Sequence, residues 1–337
     1  MIISKTPLRI SFFGGGTDFP EYFNKNESLI LGSTINKFIY ISFQKKNNID
    51  KDKIKIFYKN NEFVKKINQI DHRVIRLLLK KEKINENFEM HICSDMPSFS
   101  GLGTSSAFTV GLKNLVDYYK GIKNNSKNLA RFSINFERNI LRESVGFQDQ
   151  IHASYGGFNL IKLSKNKFQV RSITNKDKVR KISKNLFLVF TNLTRKASNI
   201  EKIKINKIEK NFNLLNIINN ITKKSLEIFS KDLNQDLFGE LLAENWELKK
   251  KLDNNVSNPA IDKIYKKGIS SGATGGKLLG AGKGGFMFFI CKKGCKEKLV
   301  SSLYPLVTMD IDIENEGSKS KASEDWGQGQ CAVAVVQ

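Results

Sequence analysis

A two-domain α+β fold is predicted by three features of this 337-residue sequence. Residues 88 to 119 read as a strand, a small-residue loop and an apolar-periodic helix in direct succession. Beyond residue 180, strands and helices alternate again. A chain of this length can also bury two ordinary cores. The expected divisions are 1–180 for the first domain, 181–316 for the second, and 317–337 for a poorly ordered tail in which Ser, Lys, Gly and Gln dominate.

In chain order, residues 2 to 13 are β-rich, and Pro7 is expected to interrupt a continuous central strand because it cannot donate to a ladder. The run Gly14-Gly15-Gly16-Thr17-Asp18 then makes a tight turn that can deliver Arg9 and Asp18 to one pocket. Apolar patterns suit strands at 33 to 44 and 54 to 58, and a helix at 72 to 83. The strand at 88 to 93 leads through Asp95, Met96 and Pro97 into the loop, and 107 to 119 has helical spacing. A further helix starts near Ser126, buries Leu129, Phe132, Phe136 and Ile140, and is expected to stop at Gly146. Strands at 158 to 163 and 168 to 173 form a hairpin. The strand at 186 to 191 opens the second domain, and long helices fill 196 to 254, with Trp246 expected in packing. Asn258-Pro259 starts another helix, since proline tolerates the first helical position. A glycine-rich stretch at 272 to 285, a strand at 286 to 291, a helix at 295 to 304 and a strand near 309 to 313 complete the order.

Composition excludes several classes. No apolar run reaches the roughly 18 residues of a membrane span, and the start lacks a signal peptide's apolar stretch, so a soluble, cytoplasmic protein with no membrane partner is expected. Cys93, Cys291, Cys295 and Cys331 form neither paired C-x-x-C motifs nor a His/Cys cluster, which predicts reduced thiols. His72 and His91 lack metal-ligand spacing, and His152 is expected as a polar helix residue. The net charge of +23 would suit nucleic acid. Its lysines are scattered through turns and helix faces, however, without an aromatic RNA-binding motif or zinc-finger spacing, so small anions are the expected partners and nucleic acid is not.

Residues 100 to 107 carry the strongest chemical signal. Gly101 and Gly103 let the backbone approach an anion, the helix start beyond them offers unpaired N–H groups, and Thr104, Ser105 and Ser106 add hydroxyls. On spacing alone this is equally a Gly/Ser loop with an N-cap. Asp149, in Gly146-Phe147-Gln148-Asp149-Gln150, is either an ordinary cap of the next helix or a functional carboxylate. Neither Lys277 nor Lys283 in the third glycine-rich stretch has Walker spacing.

Taken together, Thr6 to Asp18, Ser100 to Ala107 and Gly275 to Gly285 resemble motifs one, two and three of the GHMP small-molecule kinases. Arg9, the Gly14 to Asp18 run, Gly146 to Gln150, Gly156-Gly157-Phe158-Asn159 and Thr194-Arg195-Lys196-Ala197 are most similar to the branch acting on D-glycero-D-manno-heptose 7-phosphate. Galactokinases carry Gly-Glu-His-Thr-Asp at the first motif, where this chain has Gly14 to Asp18. The resemblance implies the GHMP kinase fold: an N-terminal domain like ribosomal protein S5 domain 2 and a ferredoxin-like C-terminal domain. It implies ATP and Mg2+ as cofactors and a sugar phosphate as substrate, with the protein a monomer or homodimer. It assigns the nucleotide to Ser100, Gly101, Leu102, Gly103, Thr104, Ser105, Ser106, Gly280 and Gly282, and the metal to Ser105 and Glu137. Asp149 becomes the candidate base for the anomeric hydroxyl, and Arg9 the group that stabilises developing charge. Gly15, Gly16, Thr17, Asp18, Gln148, Gly157 and Arg195 become sugar contacts. The rivals are another anomeric kinase of the fucose, hexosamine or galactose type, and a non-catalytic sugar or nucleotide sensor.

Overall fold

The computed structural model describes residues 1–47, 53–165, 167–193, 207–230 and 233–326. The strands are β1 Ile2–Phe13, β2 Ser28–Lys45, β3 Ile54–Phe57, β4 Glu62–Val64, β5 Phe88–Ser94, β6 Phe158–Ser164, β7 Lys167–Ser172, β8 Leu186–Phe190, β9 Ala273–Leu278, β10 Phe286–Cys291, β11 Thr308–Asp310 and β12 Lys319–Ala322. The helices are α1 Pro20–Phe23, α2 Arg73–Lys81, α3 Thr104–Tyr119, α4 Ser126–Asn135, α5 Gln148–Tyr155, α6 Lys176–Ser183, α7 Phe212–Ser230, α8 Gln235–Leu252, α9 Pro259–Ser270 and α10 Lys296–Ser302.

The first sheet runs β12-β1-β2-β5-β3-β4, and β6, backed by β7, also pairs with the early part of β2. The second sheet runs β11-β8-β10-β9 and is antiparallel throughout. Its strands occur in chain order β8, β9, β10, β11, with α7, α8 and α9 before β9 and α10 before β11. This is the fourth-first-third-second order of a ferredoxin-like layer. Helix α6 straddles the boundary expected at 180, and β8 is the first strand of the second sheet.

Three expectations are corrected. β1 is one continuous strand through Pro7, because β12 pairs only Ile2 to Lys5 and the missing N–H falls beyond its end. The ladder to β2 absorbs the local misfit by shifting register between Pro7 and Leu8. Second, residues 317–326 are not a loose tail: Ser318 N–H donates to Ala153 O at 2.8 Å, and β12 then lies antiparallel on β1. A short, lysine-bearing edge strand carries little apolar signal, which hid it in the sequence. Third, α4 does not run on to Gly146; it passes into a π turn at Phe136–Ile140.

The two sheets share one apolar core. Phe12 at the end of β1 stacks on Phe158, and its ring meets Phe238 of α8 and Phe288 of β10 edge-on, with centroids 5.2, 5.9 and 5.5 Å away. Each such pair contributes about 0.5–1.5 kcal/mol beyond area burial, so this cluster fixes how the domains face each other. Trp246 is fully buried beside Tyr265, as packing.

Candidate active site

Where the sheets meet, the three glycine-rich segments come together. Arg9 N–H donates to Leu102 O at 3.0 Å, and Phe286 N–H donates to Ser100 O at 3.0 Å. Gly101 and Gly280 touch so closely that a Cβ on Gly280 would lie 2.6 Å from the Gly101 Cα, and both take positive φ. Gly280→Ala is therefore expected to cost about 1–3 kcal/mol through this clash and its φ of +68°. A melting temperature within about 1 °C of the parent would show that the two loops are not held against each other.

α3 begins at Gly103, φ +76°, with no side chain capping it, which leaves first-turn N–H groups open to an anion. Ser105 is exposed on that turn, whereas Ser106 is buried. It is Ser106 whose hydroxyl reaches Glu137, donating to Oε2 at 2.9 Å. Ser105, assigned with Glu137 to the metal, stands one residue earlier on the helix and faces outward. Gln150 Nε2 also donates to Glu137 Oε2, while Oε1 is buried with no hydrogen-bond partner among the described residues. Burial pushes the Glu137 carboxyl up to about 8, against the opposing pull of these hydrogen bonds. A buried carboxylate oxygen with no hydrogen-bond partner among the described residues suits a cation's ligand shell. No group of three or more His, Cys, Asp or Glu among the described residues could hold a metal by itself. The arrangement suits magnesium, which takes one or two protein oxygens and completes its shell with phosphate and water.

Beside the loops, a cleft is walled by Arg9, Asp18, Gln148, Asp149, Lys249 and Lys277, among others. Arg9 grips Asp149 with two bonds, Nε to Oδ1 at 2.7 Å and Nη2 to Oδ2 at 2.5 Å, and its Nη1 donates to Gly101 O at 2.6 Å. One guanidinium thus links β1, the first residues of α5 and the second loop. Asp18 Oδ1 accepts from Gly16 N–H at 3.1 Å and Oδ2 from Gln148 Nε2 at 2.9 Å. Burial and then the Asp149 charge raise its pKa.

Gly15, Gly16, Asp18, Gln148, Arg9, Asp149 and Gly280 share the cleft, as the motifs predict. Other expected contacts fall elsewhere. Thr17 is fully buried and its hydroxyl donates to Gly14 O at 2.8 Å, so it locks the turn. Gly157 spends its N–H on Glu314 O and its carbonyl on Thr34 N–H, inside the sheet. Gly282 packs on the Val256 backbone. Arg195 and its neighbour Lys196 lie outside the described residues. His152 is no polar-face residue: it is fully buried, its pKa is lowered to about 3 by burial and then by Arg9, and it fills the space left by Gly32. Ser11, Lys249 and Lys277 also line the cleft; Ser11 and Lys277 lie inside the first and third motifs but were not among the expected contacts, and Lys249 lies in no motif. The one signal that could have found the lysines is their place beside apolar residues in Leu248-Lys249 and Lys277-Leu278.

No helix among the described residues is long and apolar enough to cross a membrane. Residues 67–157 match the GHMP kinases N terminal domain and residues 229–304 the GHMP kinases C terminal domain. The chain is 31% identical, over 95% of its length and 98% of the relative's, to a D-glycero-alpha-D-manno-heptose 7-phosphate kinase of Campylobacter jejuni. The fold is shared with a D-glycero-D-manno-heptose 1-phosphate kinase from Bacteroides thetaiotaomicron, with TM-score 0.79, 23% identity, and 96% and 99% of the two chains covered. It is likewise shared with the mevalonate kinase of Methanococcus jannaschii, with TM-score 0.71, 22% identity, and 93% and 98% covered.

Proposed function

The chain belongs to the GHMP kinases, and from that premise we propose that it transfers the γ-phosphoryl group of ATP to O1 of D-glycero-D-manno-heptose 7-phosphate, giving the 1,7-bisphosphate. The observation that carries this reading is the Asp149 carboxylate, held by Arg9 where the three glycine-rich segments converge. Near full-length similarity to a heptose 7-phosphate kinase supports the choice of sugar.

Phosphoryl transfer asks mainly for positioning and charge stabilisation. The open first turn of α3 and the backbone of residues 101 to 106 receive the triphosphate oxygens. Asp18 and Gln148 hold sugar hydroxyls, and Gln148 Oε1 and Ser11 Oγ are buried acceptors with no partner among the described residues. Asp149 sits to orient the anomeric hydroxyl and take its proton. Arg9, anchored at Gly101 O, spans the acceptor and donor sides and stabilises charge as it passes between them. Ser105 and Glu137 are the side chains that would hold magnesium, which when bound neutralises the β- and γ-phosphates.

An ADP-release assay with heptose 7-phosphate, fucose, galactose and a hexosamine tests the substrate. We expect the phosphorylated heptose to give a kcat/KM at least ~10²-fold above any free sugar, the discrimination open to a site that leaves buried polar groups unpaired with the wrong ligand. Phosphorus NMR of the product should show a new anomeric phosphate. A preference for free fucose would move the enzyme to a different anomeric kinase activity.

A further inference from the structure

Behind the cleft lies a second hollow of about 490 Å³, within the range of small-molecule pockets. Its walls include Pro20, Arg131, Asn135, Arg138, Phe147 and Phe168, none of which lines the cleft. The two spaces stand back to back. Asp18 and Phe19 line the cleft and the next residue, Pro20, lines the hollow; Gly146 and Gln148 line the cleft and Phe147 between them lines the hollow. Phe147 N–H donates to Asp18 O at 3.0 Å, which joins these segments into one dividing wall. The π turn adds a third link, since Glu137 is followed directly by Arg138 of the hollow, and such turns are frequent at functional sites.

The hollow combines cationic and apolar surface. Arg131 and Asn135 stand one turn apart on the same face of α4. Arg131 is exposed and makes no hydrogen bond or ion pair among the described residues; the group it acts on is the Tyr155 hydroxyl, which is uncharged at neutral pH. Asn139 Nδ2 donates to Asn135 Oδ1 at 2.6 Å, so the amide N–H groups are what Asn135 offers a ligand. Arg138 is engaged on the dividing wall: Nη1 donates to Val145 O at 2.5 Å and Nη2 to Glu21 Oε1 at 2.9 Å. No acid lines the hollow among the described residues, and Glu21 offsets only one of the two guanidinium charges. Pro20 and the mostly buried rings of Phe147 and Phe168 supply the apolar surface.

We propose that this hollow is an effector site for a small ring-bearing phosphate ester, which lowers activity through Arg138. The phosphate is taken by the Arg131 fork and the Asn135 amide, and the ring rests on Phe147 and Phe168. A dianion held there also attracts Arg138 and competes with Glu21 and Val145 O for its donors. Val145 and Gly146 line the cleft, and Gln148 and Asp149 follow them, so a wall released from Arg138 holds the sugar side less firmly. The effector favours the released state because only there does it gain the second guanidinium, and that difference in affinity is what couples the two sites.

Phenyl phosphate serves as the probe, with phenol and inorganic phosphate as its two halves. Calorimetric titration would use the parent, Arg131→Gln and Arg131→Lys, each with a non-hydrolysable ATP analogue and heptose 7-phosphate already in the cleft. The expected result is one further equivalent of phenyl phosphate bound by the parent, more tightly than either half. Affinity should fall at least ~10-fold in Arg131→Gln and recover in part in Arg131→Lys. No binding to the filled protein, or equal affinity in parent and Arg131→Gln, would overturn the site. In rate measurements, phenyl phosphate should lower the parent's kcat/KM for the sugar at least ~5-fold to a plateau above zero, and leave Arg131→Gln at its uninhibited rate. Inhibition that runs to zero and is relieved by excess sugar would place the probe in the active cleft and overturn the proposal. Binding without any change in rate would overturn the effector role. The comparison of parent with Arg131→Gln in the titration needs no turnover, so a wrong choice of sugar substrate shows itself separately from a failure of this site.

Discussion

Asp149→Asn is expected to lower turnover by at least ~10²-fold while leaving nucleotide affinity within ~3-fold of the parent. Asparagine keeps the size and one carbonyl oxygen of the side chain, but it cannot accept the proton of the anomeric hydroxyl. Its amide also offers a donor where Arg9 needs an acceptor, so one of the two bonds, at 2.7 and 2.5 Å, is lost. Arg9 is not released, because its Nη1 remains on Gly101 O at 2.6 Å. The second loop and its contact with Gly280 therefore stay in place, and the donor side of the cleft is preserved. The pair is only partly screened, with side-chain exposures of 7% for Arg9 and 25% for Asp149, so some stability is lost as well. Calorimetric titration with a non-hydrolysable ATP analogue separates that loss from catalysis. Turnover within ~3-fold of the parent would remove Asp149 from the mechanism.

How much of this was legible in the sequence follows from what each feature depends on. The loop of residues 100 to 106 and the Gly14 to Asp18 turn could be read because glycine and small hydroxyl residues at close spacing have few structural uses. Convergence of the three segments could not be read from spacing, since it depends on pairings such as Phe286 with Ser100, nearly two hundred residues apart, and came only through the family resemblance. β9 was hidden because Ala273-Thr274-Gly275-Gly276-Lys277 has almost no strand propensity; its place is set by pairing with the apolar β10. β12 was hidden for the related reason that an edge strand needs no apolar face. Which of Ser105 and Ser106 turns inward to Glu137 is a matter of helix phase, about 100° per residue, and a loop of uncertain end cannot fix that phase. His152 shows the reverse error. A histidine between Ile151 and Ala153 reads as polar, but the absent Cβ of Gly32 on the facing strand makes room for it in the core. Lys283, in motif three, takes a φ of +59°, so the backbone makes a left-handed turn there at a residue that carries a side chain.

Glu137→Gln is expected to do two things at once: lower turnover by ~10²-fold or more, and flatten the dependence of stability on pH above neutrality. The sign follows from the raised carboxyl. Unfolded, Glu137 titrates at its ordinary value of 4.5; folded and buried, it titrates at about 8. Between those values the native protein holds a proton that the unfolded chain has released, so stability falls as pH rises through this window and levels off above about 8. The full effect is on the order of 5 kcal/mol, since each tenfold difference in proton affinity between the folded and unfolded chain is worth about 1.4 kcal/mol. Asp18 is raised in the same direction and is present in both proteins, so the difference between parent and variant isolates Glu137. His152, lowered to about 3, contributes the opposite slope, but only below its ordinary value of 6.5. Melting temperatures taken from pH 7 to 9 without metal or nucleotide should therefore fall for the parent and change less for Glu137→Gln. Magnesium with nucleotide should stabilise the parent more at pH 9 than at pH 7, because the cation must displace the proton that the orphaned Oε1 and its partner share. The variant, which has no ionised form to offer, should gain equally at both pH values. Parallel melting curves for the two proteins would show that the carboxyl at 137 is not the buried acid, and unaltered turnover would show that it is not the metal's oxygen.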